Sequence, residues 1–112
     1  MGNSFSSQVA IIDTLRSLGS GSISGTYAAV GSAFTSPVRI ICITNNTDGD
    51  MLFTTDVTKD MLFIPKGSFK LFDLTTNGIG SYFVLRVGTQ FYVKQSTAPT
   101  TGSVYIEVIL GS

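Results

Sequence analysis

Histidine and tryptophan are absent from this 112-residue chain, cysteine occurs once, and charged side chains make up only 12% of it. Each shortage removes a class of function. Without histidine the chain lacks the commonest general base, the usual partner of a nucleophilic serine and the commonest metal ligand. One cysteine and no histidine can form neither a Cys–His catalytic pair nor a structural zinc site. A lone Cys42 also rules out a disulfide framework within the chain, and between Ile41 and Ile43 it reads as a small buried apolar residue. No phosphate-cradling glycine loop and no dinucleotide-binding glycine fingerprint is present. The expectation is a non-enzymatic chain with no cofactor and no metal site.

The shortage of charge points to a surface that meets protein. Ordinary soluble domains carry about 25% charged residues. Here seven basic and seven acidic residues cancel, and serine and threonine supply most of the polarity. A surface of hydroxyls and apolar groups is cheap to desolvate, which suits a subunit among other subunits. The basic residues (Arg16, Arg39, Lys59, Lys66, Lys70, Arg86, Lys94) stand singly, so no phosphate-binding cluster is present and nucleic acid is not an expected partner. No apolar run approaches the roughly 20 residues that cross a bilayer, and a membrane is not expected either. The N-terminus is broken by Asp13 and Arg16 and does not read as a secretory signal.

The length is that of one domain. Residues 1–25 differ from the rest and are expected to form an N-terminal arm. Val9, Ile11, Ile12, Leu15 and Leu18 have partly helical spacing, but a Ser/Gly run follows at once. A helix this short is marginal alone. The segment fits an extended arm or an edge strand, and the arm, packed by neighbouring subunits, is the preferred reading. Residues 26–112 follow a strand–turn pattern. Strands are expected over Val38–Thr44, Met51–Thr55, Asp60–Ile64, Phe69–Leu74, Tyr82–Val87, Phe91–Gln95 and Val104–Leu110, separated by Gly, Pro and Asn/Asp turns. Asp48-Gly49 reads as a hairpin turn. The tetrapeptide Asp-Met-Leu-Phe occurs at Asp50 and again at Asp60, a spacing that suits two adjacent strands. Val38–Thr44 is apolar on both faces, as a central strand covered on both sides would be. In the last strand Val104, Ile106, Val108 and Leu110 share one face, and Tyr105, Glu107 and Ile109 the other. The fold class is all-β: a single antiparallel β-sandwich of jelly-roll or Greek-key type. Phe53, Phe63, Phe69, Phe72, Phe83 and Phe91 read as its filling.

Three polar features invite a functional reading. The Asn/Asp-rich turn around Asp48 and Asp50 offers oxygen ligands for a hard cation, but it lacks the calcium-loop spacing and has the composition of any tight turn. Asp73 and Glu107, on separate strands, are the pair a glycosidase would need, although nothing in the sequence brings them together. Tyr82, Tyr92 and Tyr105, if they lined one groove, would form a glycan platform. With Ile109, these tyrosines are the outward residues expected to contact a partner.

Most of the chain, from Tyr27 to Val108, resembles a family of small proteins encoded in tailed-bacteriophage genomes. The likeness is carried by Arg39-Ile-Ile-Cys-Ile-Thr-Asn-Asn-Thr-Asp-Gly-Asp, Phe63-Ile-Pro-Lys-Gly-Ser-Phe, Leu71-Phe-Asp-Leu-Thr-Thr-Asn, Gly88-Thr-Gln-Phe-Tyr-Val-Lys and Ala98-Pro-Thr-Thr-Gly-Ser-Val-Tyr-Ile-Glu-Val. The Asp56–Asp60 turn departs from it by lacking glycine. The resemblance implies a virion component assembled in the bacterial cytoplasm: head decoration, or part of the neck or tail. Expected partners are copies of itself, as a trimer or a ring, and other virion proteins such as the major capsid, portal or tail proteins. The contrasting expectation is a receptor- or glycan-binding module on a virion appendage.

Overall fold

The computed structural model describes residues 10–74 and 85–111. In it the chain is a two-sheet antiparallel β-sandwich, as the alternating apolar pattern predicts. The strands are β1 (Ala10–Ile12), β2 (Arg16–Gly19), β3 (Ala28–Ala29), β4 (Val38–Thr47), β5 (Met51–Thr54), β6 (Leu62–Ile64), β7 (Phe69–Asp73), β8 (Tyr92–Gln95) and β9 (Gly102–Gly111). The first sheet runs β1-β9-β4-β7, with β2 also paired to β9, and the second runs β3-β8-β5-β6.

The long strands β4 and β9 form the spine of the first sheet, in register from Val38↔Leu110 to Thr47↔Gly102. The alternation read in β9 holds: Val104, Ile106, Val108 and Leu110 are buried, while Glu107 is exposed. They meet Ile41 and Ile43 of β4, and Met51, Phe53 and Val93 from the second sheet close the core. Burying each such side chain contributes roughly 1.5–3 kcal/mol. A bulge between Val38 and Ile40 lets Val38 point inward and Ile40 outward. The repeated tetrapeptides do form neighbours: β5 and β6 pair through Leu52↔Phe63 and Phe53↔Leu62.

The structure departs from the sequence reading in several places. From Ala10 onward the expected arm is part of the sandwich. β1 and β2 pair with β9 of the same chain, giving its second edge a partner, and Ile23 enters the core. Arg16 secures this docking and is only 5% exposed. Its guanidinium donates to the carbonyls of Ser32 (2.7 Å), Thr14 (3.3 Å) and Ala33 (3.4 Å), pairs with Asp13 at 2.8 Å and lies 4.7 Å over the Phe34 ring. Gly31, at φ +67°, makes room for it: a Cβ there would stand 2.5 Å from the Arg16 Cγ.

The turn at Asp48-Gly49 does not make a hairpin. β4 and β5 lie in different sheets, so the turn is a corner between layers. Gly49 has no positive φ, which the tight hairpin turn would require. The corner is fixed instead by Asn45, wholly buried, whose amide donates to the carbonyls of Gly49 (2.8 Å) and Ile64 (2.9 Å) and accepts from the Thr47 N–H. Of the phenylalanines, Phe53 and Phe91 fill the core together with Phe34, whereas Phe63 and Phe69 are exposed and Phe72 is partly buried. Phe83, like the first half of the expected strand Tyr82–Val87, lies outside the described residues, and its second half, residues 85–87, is not strand but leads into a turn. Cys42 is only half-buried, because it faces away from the core. For the same reason β4 is covered within the chain on its inner face alone.

Candidate assembly surface

The outer face of the first sheet gathers several exposed apolar side chains, while others, such as Val57, Met61, Phe63 and Val87, lie elsewhere. Register arranges them in three rows across the strands. One row carries Ile12, Ile109, Ile40 and Asp73. The next carries Glu107, Cys42 and Leu71, and the third Ser17, Tyr105, Thr44 and Phe69. Ile12 is 83% exposed, Phe69 63% and Leu71 60%. Solvated sheet faces ordinarily present polar residues. Here the charged residues of the rows are two acids, Glu107 and Asp73.

The face is not flat. A hollow of about 280 Å³ opens between Ile12, Ile40, Cys42, Glu107 and Ile109 on the β1 side. Phe69 and Leu71 stand out from β7 on the opposite side. The surface therefore has a depression near one margin and a ridge along the other.

Register places the residues singled out from sequence as follows. Ile12 and Ile109 are cross-strand partners and meet on this face, with Tyr105 two rows away along β9. Ile11 and Leu15 are exposed, but Ile11 is paired with the inward-facing Leu110 and lies on the other side of the sheet, whereas Leu18 packs against the chain's own core. Val9 and Tyr82 lie outside the described residues. Tyr92 sits in β8 beside the buried Val93, so it faces outward from the second sheet. Tyr92 and Tyr105 thus lie on opposite outer faces and cannot line one groove. Ile40, Leu71 and Phe69 were not foreseen as surface residues. The two-sided apolar pattern of β4 was the available signal, since an outer face this apolar needs a cover.

The other polar clusters are occupied by their own chain. At the β4–β5 corner, Asp48 accepts from the backbone N–H groups of Thr100 (2.7 Å) and Thr101 (3.1 Å) and from the Thr100 hydroxyl. The Thr100 hydroxyl first, then these amides, hold the Asp48 carboxyl down at about 2. Asp50 accepts from the Lys66 N–H at 3.0 Å and from the Thr97 hydroxyl at 3.4 Å. These carboxylates fasten three loops together, which accounts for the Asn/Asp composition without a cation. On the second sheet's side, the Tyr27 hydroxyl donates to Asp60 at 2.7 Å, and Lys94 lies 3.1 Å from the same carboxylate. The Tyr27 bond, followed by Lys94, lowers the Asp60 pKa, while burial and then Asp60 raise that of Tyr27. Asp73 and Glu107 share the outer face of the first sheet but are two strands apart and two residues out of step. That puts their Cα atoms roughly 12 Å apart.

Comparison with protein-family models, with curated proteins and with solved structures finds no match to this chain.

Proposed function

We propose that this chain is a non-enzymatic structural subunit of a tailed-phage virion, which assembles with copies of itself to decorate or cement the capsid or to join head and tail. The observation that carries the reading is the apolar outer face of the first sheet. Ile12, Leu71 and Phe69 are each at least 60% exposed in a chain with only 12% charged residues. Leaving such a face in water forgoes roughly 25 cal/mol for every Å² of apolar surface, and a subunit recovers that on assembly. The resemblance of residues 27–108 to small phage-encoded proteins says which kind of assembly is meant. A glycan-binding appendage gains no support from the tyrosines, since Tyr92 and Tyr105 face opposite ways.

The test is tryptic mass spectrometry of density-purified particles of the phage whose genome encodes the chain. Peptides of the chain at a stoichiometry of several copies per particle are expected. Their absence from particles that contain the capsid and portal proteins overturns the reading.

A further inference from the structure

We propose that the outer face of the first sheet is an isologous interface, on which a second copy of this chain packs face to face about a two-fold axis running along the strands between β9 and β4. The proposal deepens the subunit reading above and rests on it. Two features of the face carry it, and a third supplies its test.

The first is shape. Strand order β1-β9-β4-β7 means that such an axis exchanges β1 with β7 and β9 with β4. It therefore sets the ridge of each copy over the hollow of the other. The axis keeps each row in place, so Leu71 of one copy meets the Glu107 side of its mate's depression, beside Ile12 and Ile109, while Asp73 comes over Ile12 and Phe69 beside Tyr105. A ridge and a hollow on opposite margins of one face are self-complementary under this operation.

The second is area. β4 and β9 of ten residues, β7 of five and β1 with β2 of seven together, at ~3.3 Å per residue and ~4.8 Å between strands, give a face of roughly 500 Å². Two copies bury roughly 1,000 Å², the lower bound for a specific interface. In a trimer, flat faces turned toward a three-fold axis meet at a steep angle and bury only their margins. The two-fold arrangement uses the whole face.

The third is charge. Glu107 sits opposite Cys42 in the register, next to the axis. Pairing two copies brings two Glu107 carboxylates within about one strand spacing of each other, an opposing contribution in a partly desolvated site. A second copy therefore makes a prediction that a basic partner would reverse: neutralising Glu107 tightens the contact.

Sedimentation equilibrium on the full chain, with L71E and E107Q beside it, tests this. The wild type is expected to be a dimer in concentration-dependent exchange with monomer. Leu71→Glu acts twice in a two-fold interface and should weaken it roughly a hundredfold or more. Glu107→Gln should tighten it several-fold. Labelling of the half-buried Cys42 by a thiol reagent is a readout that needs no variant, and its rate should fall as protein concentration rises. A wild-type oligomer whose mass is unchanged in L71E, with Cys42 labelled at one rate throughout, overturns the interface and leaves the subunit reading intact. A trimer, or a dimer loosened by E107Q, overturns the two-fold face-to-face arrangement. A wild type that stays monomeric at every concentration overturns the interface too, and the content of purified particles then decides the subunit reading separately.

Discussion

At the scale of single residues, stability is concentrated in a few polar groups that the apolar core cannot replace. Arg16 is the clearest. Its guanidinium, on a residue only 5% exposed, satisfies three carbonyls and Asp13, and Asp13 is in turn held below its usual pKa, first by the hydrogen bond from Arg16. Arg16→Met keeps much of the packing volume but leaves those carbonyls unpaired, at a cost of about 2–3 kcal/mol. Urea unfolding checks it, with a lower midpoint at unchanged slope expected. Asp48 supplies a pH dependence whose sign is fixed. Its carboxyl titrates at about 2 in the fold against 3.8 ordinarily. Its contribution is therefore complete above pH 3.8 and is lost as pH falls toward 2. Asp48→Asn should flatten the fall of melting temperature across that interval, measured by circular dichroism. An unchanged slope contradicts the assignment.

At the scale of elements, the sequence revealed strands better than their partners. Period-two alternation identified β9 down to its inner and outer faces, and the doubled tetrapeptide identified the β5–β6 pair. Local chemistry could not say that β4 and β5 belong to different sheets, because an Asp-Gly turn suits a hairpin and a corner equally. The difference lies in Asn45, whose buried amide reaches both Gly49 and Ile64 through tertiary contacts. Nor could spacing show that β2 adds to β9, because that pairing spans most of the chain. The consequence is testable. Deletion of residues 1–24, which from the sequence would spare the domain, removes β2, Arg16 and the buried Ile23. The loss approaches the ~5–15 kcal/mol total of a domain this size, so the truncated chain should lose its dispersed amide proton spectrum. A well-dispersed spectrum would show that β9 holds the sheet without its second partner. At the candidate surface, Ile109 and Tyr105 were legible as outward residues of β9. Leu71 and Phe69 were not, since β7 lacks alternation and Phe69 looks like filling until register sets it opposite Thr44.

At the scale of the whole molecule, one sheet face is left unfinished. The described part of the chain closes its core between two sheets, fastens one end with Asp48, Asp50 and Asn45, and closes the edge of β9 with its own N-terminal strands. What remains is an outer face whose rows are mostly apolar. A chain with as few charges as this one has little means of keeping such a face soluble alone, and association resolves that. The proposed interface therefore stands or falls on whether the chain associates with itself. The direct measurement is the native mass of the purified full chain at micromolar concentration. The account predicts a multiple of 11.9 kDa, with the dimer as the smallest assembly. A single species of 11.9 kDa across the concentration range would contradict it.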